Sequence, residues 1–263
     1  MLYIENEKIV PTIFPDKTSQ VWKIDINDYK EENVTITWKF ESEDELMHLC
    51  QLYDLLNAYG YKIKLKLPYL PYARQDKNVS NETTFAFKTF AKILNTMIFT
   101  EVEIVDPHSS LYYLIHNSKA IYPIEEVKKA FEATNSNCVV YPDSGAFLKY
   151  LNIYKDINES FEHPYSAKKI RNQLTGWIES YNVDGDFKDK NVLIVDDICD
   201  GGTTFNILSK SLIKLGAKEI NLFVTHGIFS RGLDKLKENI NRIFVRDFEV
   251  DSWYNNTFIK KHY

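Results

Sequence analysis

Apolar positions along the chain recur with two periods, one typical of strands and one typical of helices. Short runs that alternate or are wholly apolar predict strands, and longer runs with apolar residues three or four apart predict helices. These patterns predict strands at 34–40, 63–67, 101–106, 138–141, 192–195, 220–225 and 243–245, and helices at 43–59, 83–94 and 205–215. Asn81 is placed to cap the second helix, and Gly60 and Gly216 to end the first and last. The alternation predicts parallel sheets with helices on both faces and ligands beyond the carboxyl ends of the strands.

One segment ends an apolar strand in acids and then in a glycine pair. The four aliphatic residues at 192–195 fit a strand buried on both faces, so the charges of Asp196 and Asp197 must lie at the rim of the sheet. Gly201 and Gly202 permit backbone angles at which several N–H groups converge on one anion. The segment therefore predicts a site for a phosphosugar.

The helix that follows this turn adds to the predicted anion site. Thr203 and Thr204 bring hydroxyl donors, and the positive end of the dipole of the helix at 205–215 faces the same point. Asp196 and Asp197 would repel a phosphate, but they suit the hydroxyls of a ribose or a bridging Mg²⁺. An alternative interpretation is a helix cap with solvated acids, although a cap needs only one acid and one glycine.

Composition and charge limit the partners that the chain can have. A length of 263 residues allows one domain or two, and the formal net charge of −5 argues against a polyanion such as nucleic acid. The three cysteines lack metal-ligand or redox-pair spacing, which is typical of reduced thiols in the cytosol. The first ten residues are unlike a signal peptide, and no apolar run approaches membrane-spanning length. We expect a cytoplasmic protein that binds neither membrane nor nucleic acid.

Two segments resemble those of a known enzyme family. Residues 192–204 resemble the PRPP-binding loop of type I phosphoribosyltransferases and of ribose-phosphate pyrophosphokinases, the PRPP synthetases, and this loop alone does not separate the two. The run Tyr72-Ala73-Arg74-Gln75-Asp76 is similar to a run that pyrophosphokinases carry in the ATP site and that ordinary transferases lack. By composition alone this run would as readily be a solvated charged turn, so the resemblance decides its interpretation.

Further similarities follow in the family's order along most of the chain. The segment around His108 resembles the family's Asp-Leu-His, and the segment around Asp143 resembles its Pro-Asp-Ala-Gly. Lys169 and Arg171 fit the Lys-x-Arg of the family's catalytic flexible loop, and residues 225–227 match the end of a late strand. Taken singly, a hydrogen-bonded histidine or a solvated group of cations would be the simpler interpretation. The ordered set is far more specific and favours the pyrophosphokinases.

The resemblance implies a fold and an activity. The fold is α/β, with two tandem phosphoribosyltransferase-like domains, each a mainly parallel sheet flanked by helices. Residues 1–123 would form the ATP-binding side, and residues 124–263 would carry the PRPP loop and the flexible catalytic loop. The activity would be transfer of the β,γ-diphosphoryl group of Mg-ATP to the C1 hydroxyl of ribose 5-phosphate, giving PRPP and AMP.

The resemblance also implies roles for individual residues. Lys169, Arg171 and His108 are expected to be catalytic, and His108 and Asp143 are expected to hold Mg²⁺. No covalent nucleophile is expected. ATP is expected at Arg74, Gln75, Asp76, Phe14 and Asp16, and the ribose phosphate at Asp196, Asp197, Asp200, Gly201, Gly202, Thr203 and Thr204.

Two of the chain's departures from the family pattern affect the expected substrates and assembly. Phe14-Pro15-Asp16 resembles the start of a hairpin that reaches the ATP site of a neighbouring subunit, but Lys17-Thr18 replaces Gly-Glu. We therefore expect a homo-oligomer, at least a dimer, with altered ATP binding. Gly201-Gly202 stands where pyrophosphokinases more often have Thr-Ala or Thr-Gly, which leaves space beside the 5-phosphate. That space keeps a larger acceptor, ADP-ribose, as an alternative to ribose 5-phosphate.

Two other classes of protein remain as alternatives. A phosphoribosyltransferase that consumes PRPP would need only the loop at 196–204, and the cations near 74 and 169 would then have no role. A non-catalytic subunit that regulates an active synthetase should have lost its loop cations or metal ligands, and here both are retained. The weakly periodic, charged stretch from 152 to 190 is expected to include a mobile flap.

Overall fold

The computed structural model describes residues 1–22, 24, 32–155, 164–171, 178–246 and 248–250. These residues divide into two compact units, of which the first ends at Ile121 and the second begins at Tyr122. The sequence places the division two residues later, after position 123. No helix in the described ranges combines the length and the apolar character needed to cross a membrane.

The first unit is built on a six-stranded, mainly parallel sheet. Its strands are β1 (Leu2–Ile4), β2 (Glu7–Ile9), β5 (Asn33–Trp38), β6 (Lys62–Leu67), β7 (Glu101–Val105) and β8 (Ser118–Ile121), and its helices are α1 (Glu45–Ala58) and α2 (Ala86–Leu94). The strand order is β2-β1-β5-β6-β7-β8, in which β5 to β8 are parallel and β1 and β2 add antiparallel strands at one edge. Two short strands, β3 (Thr12–Ile13) and β4 (Ser19–Gln20), form a separate hairpin.

Among its described residues, the first unit buries the apolar side chains of its sheet on one face. Along β6, Ile63, Leu65 and Leu67 are buried with residues of α1 and α2 in a single core. The lysines between them point to the second face, where Lys64 lies 3.5 Å from Glu101 of the neighbouring strand. This strict alternation explains the period of two in the sequence. Among the described residues of this unit, the second face of the sheet carries ion pairs, and helices α1 and α2 share the core on the first face.

The second unit is built on a seven-stranded sheet. Its strands are β9 (Cys138–Tyr141), β10 (Tyr165–Arg171), β11 (Ile178–Val183), β12 (Asn191–Cys199), β13 (Glu219–Gly227), β14 (Arg242–Val245) and β15 (Phe248–Val250). Its helices are α3 (Ile124–Ala133), α4 (Ser144–Ile153), α5 (Thr203–Lys214) and α6 (Asp234–Lys237). The order is β11-β10-β9-β12-β13-β14-β15, and only β11 and β15, at the two edges, run antiparallel to their neighbours.

The second sheet is buried on both faces, as its long apolar runs predict. Ile194 lies in the core under α5, and its neighbours Leu193 and Val195 lie in a second core with Tyr150 of α4. An α/β fold with two mainly parallel sheets flanked by helices is thus confirmed. Strand β12 runs on to Cys199, beyond the predicted end at 195, because its pairing with β13 continues past the first aspartate.

Two local predictions are wrong for physical reasons. Helix α2 begins at Ala86 rather than at 83, and Asn81 does not cap it. The carbonyl of Gln75 instead accepts a hydrogen bond of 3.1 Å from the N–H of Phe87, so a distant loop satisfies the helix terminus. Residues 169–171, expected on a loop, are part of strand β10. The rest of the expected flap includes residues 156–163 and 172–177, which lie outside the described ranges.

Candidate active site

The turn between β12 and α5 requires glycine at its last position. Gly202 is the N-cap residue of α5 and has a φ of +72°, a conformation that residues with a side chain rarely adopt. A Cβ atom at this position would also come within 3.0 Å of the side chain of Leu236. Thr203 and Thr204 form the first turn of the helix, whose N–H groups have no partner within the helix itself. The sequence-predicted loop therefore has the geometry of an anion site.

A lysine that the sequence analysis missed neutralises one of the two adjacent acids. Asp197 is buried, and its Oδ2 atom lies 3.0 Å from the Nζ atom of Lys149 on α4. The Lys149 side chain is itself only 18% exposed, so the pair is largely shielded from water. A signal was present in the sequence, because Lys149 is the only charged residue of α4.

Asp196 has an environment that disfavours its charge. Burial raises its pKa well above the usual value, and the charge of the adjacent Asp197 raises it further. A hydrogen bond of 2.9 Å from the backbone N–H of Asp197 to the Oδ1 atom of Asp196 acts in the opposite direction but does not offset these effects. Hydroxyl donors or a cation would relieve this unfavourable charge, which fits the predicted role in binding a ribose.

Asp143 caps helix α4 and forms an ion pair with Lys169. Its Oδ1 atom accepts a hydrogen bond of 2.9 Å from the N–H of Ala146, and its Oδ2 atom lies 2.8 Å from the Nζ atom of Lys169 on β10. Burial acts to raise the pKa of Asp143, but the Lys169 and Ala146 hydrogen bonds outweigh it and lower the pKa. The charge of Asp143 also contributes to the raised pKa of Asp196. The structure thus brings Lys169, Asp143 and Asp196 into one electrostatic group.

Neighbouring residues on β10 have different surroundings. Lys168 is exposed, and its Nζ atom lies 3.6 Å from Asp184, whereas Lys169 is directed to Asp143. This difference follows from the alternation of side chains along a strand. Arg171 is the last residue of β10, and its side chain lies outside the described part of the chain.

Asp200, the third acid of the predicted ribose site, accepts a hydrogen bond from a turn that follows β13. The Oδ1 atom of Asp200 accepts a hydrogen bond of 2.5 Å from the hydroxyl of Ser230. The carbonyl of Cys199 accepts hydrogen bonds from the N–H groups of Ile228 at 2.8 Å and Phe229 at 3.1 Å. These bonds join the ends of β12 and β13, so the residues after 227 belong to the same site, which the sequence analysis did not predict.

The predicted ATP segment of the first unit follows strand β6. Tyr72 has a φ of +61°, and its hydroxyl donates a hydrogen bond of 2.5 Å to Glu43, which raises the pKa of Tyr72 to about 12. Arg74 and Gln75 are exposed, and Asp76 is half-buried. The tyrosine therefore anchors the turn from which the arginine reaches solvent.

His108 follows the neighbouring strand of the same sheet. It is exposed and comes three residues after the end of β7, which runs parallel to β6. Because the carboxyl ends of adjacent parallel strands meet at one edge, the chain segments of Arg74 and His108 leave the sheet at the same edge. His108 and Asp143, the predicted metal ligands, belong to different units.

The predicted hairpin is present at β3 and β4. The ring of Phe14 packs edge-on against Trp22, with ring centroids 6.3 Å apart. Asp16 accepts hydrogen bonds from the hydroxyl of Thr18 at 2.7 Å and from its N–H at 3.0 Å, and these bonds lower the pKa of Asp16. Lys17, which stands where the family pattern has glycine, has a φ of +71°. The turn thus keeps its shape at a conformational cost.

We expect replacement of Lys17 with glycine to stabilise this hairpin. A left-handed conformation costs a residue with a side chain about 1–2 kcal/mol, and the greater freedom of glycine in the unfolded chain offsets part of the gain. The free energy of unfolding, measured in urea, should rise by about 0.5 kcal/mol. Lys17→Ala is the matched control and should show no gain, because it removes the charge and keeps the strained backbone. An equal gain in both variants would contradict the explanation.

The described residues do not form a complete cage for a metal ion. Within the described ranges, no group of three or more His, Cys, Asp or Glu side chains could hold a metal. Both carboxylate oxygens of Asp143 already accept bonds from protein groups. Mg²⁺ commonly binds through one or two protein ligands together with water and substrate phosphates. An imidazole and a carboxylate such as those of His108 and Asp143 fit a magnesium ion that takes its remaining ligands from water and phosphate.

Comparison with known proteins supports the same family. Residues 154–255 match the family described as the phosphoribosyl transferase domain. Ribose-phosphate pyrophosphokinase from Pyrococcus abyssi is 30% identical over 220 residues, which cover 81% of this chain and 75% of that protein. The pyrophosphokinase from Saccharolobus solfataricus is 27% identical over 255 residues, which cover 94% of this chain and 84% of that protein.

A solved structure shows the same fold over most of the chain. The crystal structure of phosphoribosylpyrophosphate synthetase from Mycobacterium smegmatis aligns with a TM-score of 0.72 and 22% identity, and it covers 90% of this chain and 79% of that one. The sequence relatives match over both units rather than over the transferase domain alone. This chain belongs to the ribose-phosphate pyrophosphokinase family, a family of enzymes.

Proposed function

We propose that the protein transfers the β,γ-diphosphoryl group of Mg-ATP to the C1 hydroxyl of ribose 5-phosphate, giving PRPP and AMP. The names of the relatives support this reaction. The observation that carries the proposal is the pairing of Lys169 with Asp143, whose charge acts on Asp196 at the end of β12. A cation in this position is placed to neutralise charge on a transferring phosphoryl group.

The turn after β12 suits the ribose phosphate. Carboxylates bind sugar hydroxyls well, so Asp196, Asp197 and Asp200 would hold the hydroxyls of the acceptor. The N–H groups of 201–204 and the threonine hydroxyls would hold the 5-phosphate at the start of α5. The raised pKa of Asp196 supports this division, because bound hydroxyl donors would stabilise the carboxylate form.

ATP would bind at residues of the first unit and of a neighbouring copy. Arg74 can stack on a base and bind phosphate through its planar guanidinium, and Gln75 and Asp76 can complete recognition. Phe14 and Asp16 would come from the hairpin of a second subunit, so the proposal includes a homo-oligomer, at least a dimer. The anchored turn at Tyr72 supports this role, since it limits the freedom of the arginine's backbone.

Two cationic elements would neutralise the charge of the transferring group. His108 and Asp143 are the residues that would serve as protein ligands of Mg²⁺, and the ion would supply charge neutralisation when bound. Lys169 and Arg171 would bind the β-phosphoryl oxygens as charge develops during in-line transfer. Lys169 pairs with Asp143 without substrate, so binding of Mg-ATP would exchange one partner of this lysine for another. The C1 hydroxyl attacks directly, and no covalent enzyme intermediate is involved.

ADP-ribose is a second candidate acceptor for the same chemistry. This candidate rests on the glycine pair in the sequence alone, because the side chain of Arg231 occupies the space where a side chain of residue 201 would begin. The reaction at C1 would be unchanged.

Incubation of the purified protein with ATP and Mg²⁺ tests the proposal. We expect AMP and a C1-diphosphorylated product with ribose 5-phosphate, measured by chromatography and ³¹P NMR. AMP formation with ADP-ribose alone would replace the preferred acceptor. Formation of a nucleotide from PRPP and a base, without ATP, would identify a phosphoribosyltransferase instead. No turnover with either acceptor, by protein that binds ATP, would favour a regulatory subunit.

A further inference from the structure

Arg231 lies across the glycine turn of the candidate site. A Cβ atom built on Gly201 would be 3.2 Å from the Cδ atom of Arg231 and 3.3 Å from its Nε atom. These distances are at or below ordinary van der Waals contact, so the arginine packs on the bare backbone of the glycine. A Cβ atom at position 201 would require the arginine side chain to shift by a few tenths of an ångström, and a larger side chain would require more. The two residues therefore form a matched pair, although 30 positions separate them in the sequence.

The segment that carries Arg231 is fixed to the same turn by hydrogen bonds on either side. Ser230 donates to Asp200, and the N–H of Gly232 donates to the carbonyl of Phe229 at 2.8 Å. The N–H of Phe229 in turn binds Cys199 at the end of β12. Arg231 is thus presented by a closed turn that is joined to the site. Its position beside Gly201 follows from this framework.

The charge of Arg231 is available to a ligand. In the ranges that the structure describes, no acceptor or carboxylate is paired with its guanidinium, and the nearby Asp200 is bound by Ser230. Asp200 directly precedes the glycine pair, and its charge would repel a phosphate held only by N–H groups. A guanidinium beside the turn offsets that repulsion and can donate two hydrogen bonds to one phosphate.

We propose that Arg231 binds the phosphate at position 5 of the ribose acceptor, and that Gly201 lacks a side chain so that this arginine can reach it. The inference rests on the proposed function of the site and names the residue that recognises the acceptor. It requires that Arg231 contributes to acceptor binding and has no part in the transfer step.

Steady-state kinetics of Arg231→Ala test the inference. We expect the KM for the acceptor that the wild-type protein uses to rise about 10-fold or more, with kcat and the KM for ATP within about 2-fold. Arg231→Lys should restore part of the affinity, because it keeps the charge without the bidentate geometry. Lys235→Ala, which removes another exposed cation close in sequence, is the control and should leave every constant unchanged.

A double-mutant cycle tests the link between the two residues. Gly201→Thr should raise the acceptor KM as Arg231→Ala does, and the double variant should be no worse than either single variant. Additive losses would overturn the assigned pairing. An unchanged acceptor KM in Arg231→Ala, in a protein that forms product normally, would overturn the inference alone. A wild-type protein without diphosphoryl transfer would instead overturn the proposed function.

Phosphate protection gives a readout that is independent of turnover. Millimolar inorganic phosphate should raise the thermal unfolding midpoint of the wild-type protein and of Lys235→Ala, and should raise that of Arg231→Ala clearly less. Equal protection of all three proteins would contradict a phosphate-binding role for Arg231.

Discussion

Replacement of Lys169 with alanine is expected to lower kcat for diphosphoryl transfer by about 10²–10³-fold, with the KM for ATP changed only a few-fold. The reason is that a cation placed where charge develops stabilises the transition state more than the bound substrates. The pairing of Lys169 with Asp143 holds this cation at the site before substrate arrives. Initial rates of AMP formation over a range of ATP and acceptor concentrations measure both constants.

Lys168→Ala is the matched control for this prediction. The residue is adjacent on β10, carries the same charge and is directed to an exposed partner, Asp184. Its removal should leave kcat within about 2-fold, because exposed ion pairs contribute little. Comparable losses of ATP affinity and of turnover in Lys169→Ala would reject the transition-state role and leave the lysine as a binding residue.

Adjacent aspartates are expected to have opposite effects on stability. Asp196→Asn should stabilise the protein at pH 7 by about 1 kcal/mol, because it removes a charge that the folded state disfavours. Asp197→Asn should instead lower stability by a net amount of about 1 kcal/mol. It breaks the hydrogen-bonded pair with Lys149, whose loss costs about 1.5–3 kcal/mol, while relief of the repulsion on Asp196 offsets part of that cost. Both variants should lose most of the transfer activity.

The pH dependence of the Asp196→Asn effect follows from the direction of the pKa shift. The pKa of Asp196 is raised in the folded state, so the folded protein binds this proton more tightly than the unfolded chain does. The associated stability is present below the unfolded pKa of about 3.9 and is lost as the pH rises through the folded pKa. The gain in the asparagine variant should therefore be largest at neutral pH and fade toward pH 4.

Thermal unfolding without ligands, at several pH values, measures both effects. Asp184→Asn, which removes an exposed acid of the same unit, is the control and should leave the midpoint nearly unchanged. A destabilised Asp196→Asn variant at pH 7 would show that the folded state favours this charge. That result would contradict the electrostatic description of the site.

Strand β12 and the glycine turn that follows it could be predicted because each depends on residues that are close together in the sequence. The run at 192–195 is apolar at every position because both faces of β12 are covered, and the second glycine of the turn follows from the backbone angle at Gly202. The N-terminus of α2 could not be predicted in the same way. Its hydrogen bond comes from the carbonyl of Gln75, which the sequence near position 85 does not reveal. Tertiary partners, rather than propensity, set that boundary.

The side chains that contact the site residues could not be predicted from the sequence for a similar reason. Lys149 contacts Asp197 from helix α4, and Arg231 contacts Gly201 from the turn after β13. Neither residue belongs to a short sequence motif that includes the loop. The edge hairpin of β10 and β11 was also missed, because few of its positions are buried and its lysines are typical of an exposed loop. The sequence pattern was therefore sufficient to predict the loop, whereas the positions of Lys149 and Arg231 beside it became visible only in the structure.

Because the core of the first sheet lies on one face, the two sheets should differ in how readily they accept amino-acid substitutions during evolution. The lysines at every second position of β6 form ion pairs with acids of neighbouring segments, so charge balance is the main limit on substitution there. Strand β12 has no such permissive positions over its first half, since both faces of that strand are packed. Neutral variation should therefore accumulate on the second face of the first sheet, while the strand that leads to Asp196 and Asp197 stays nearly fixed.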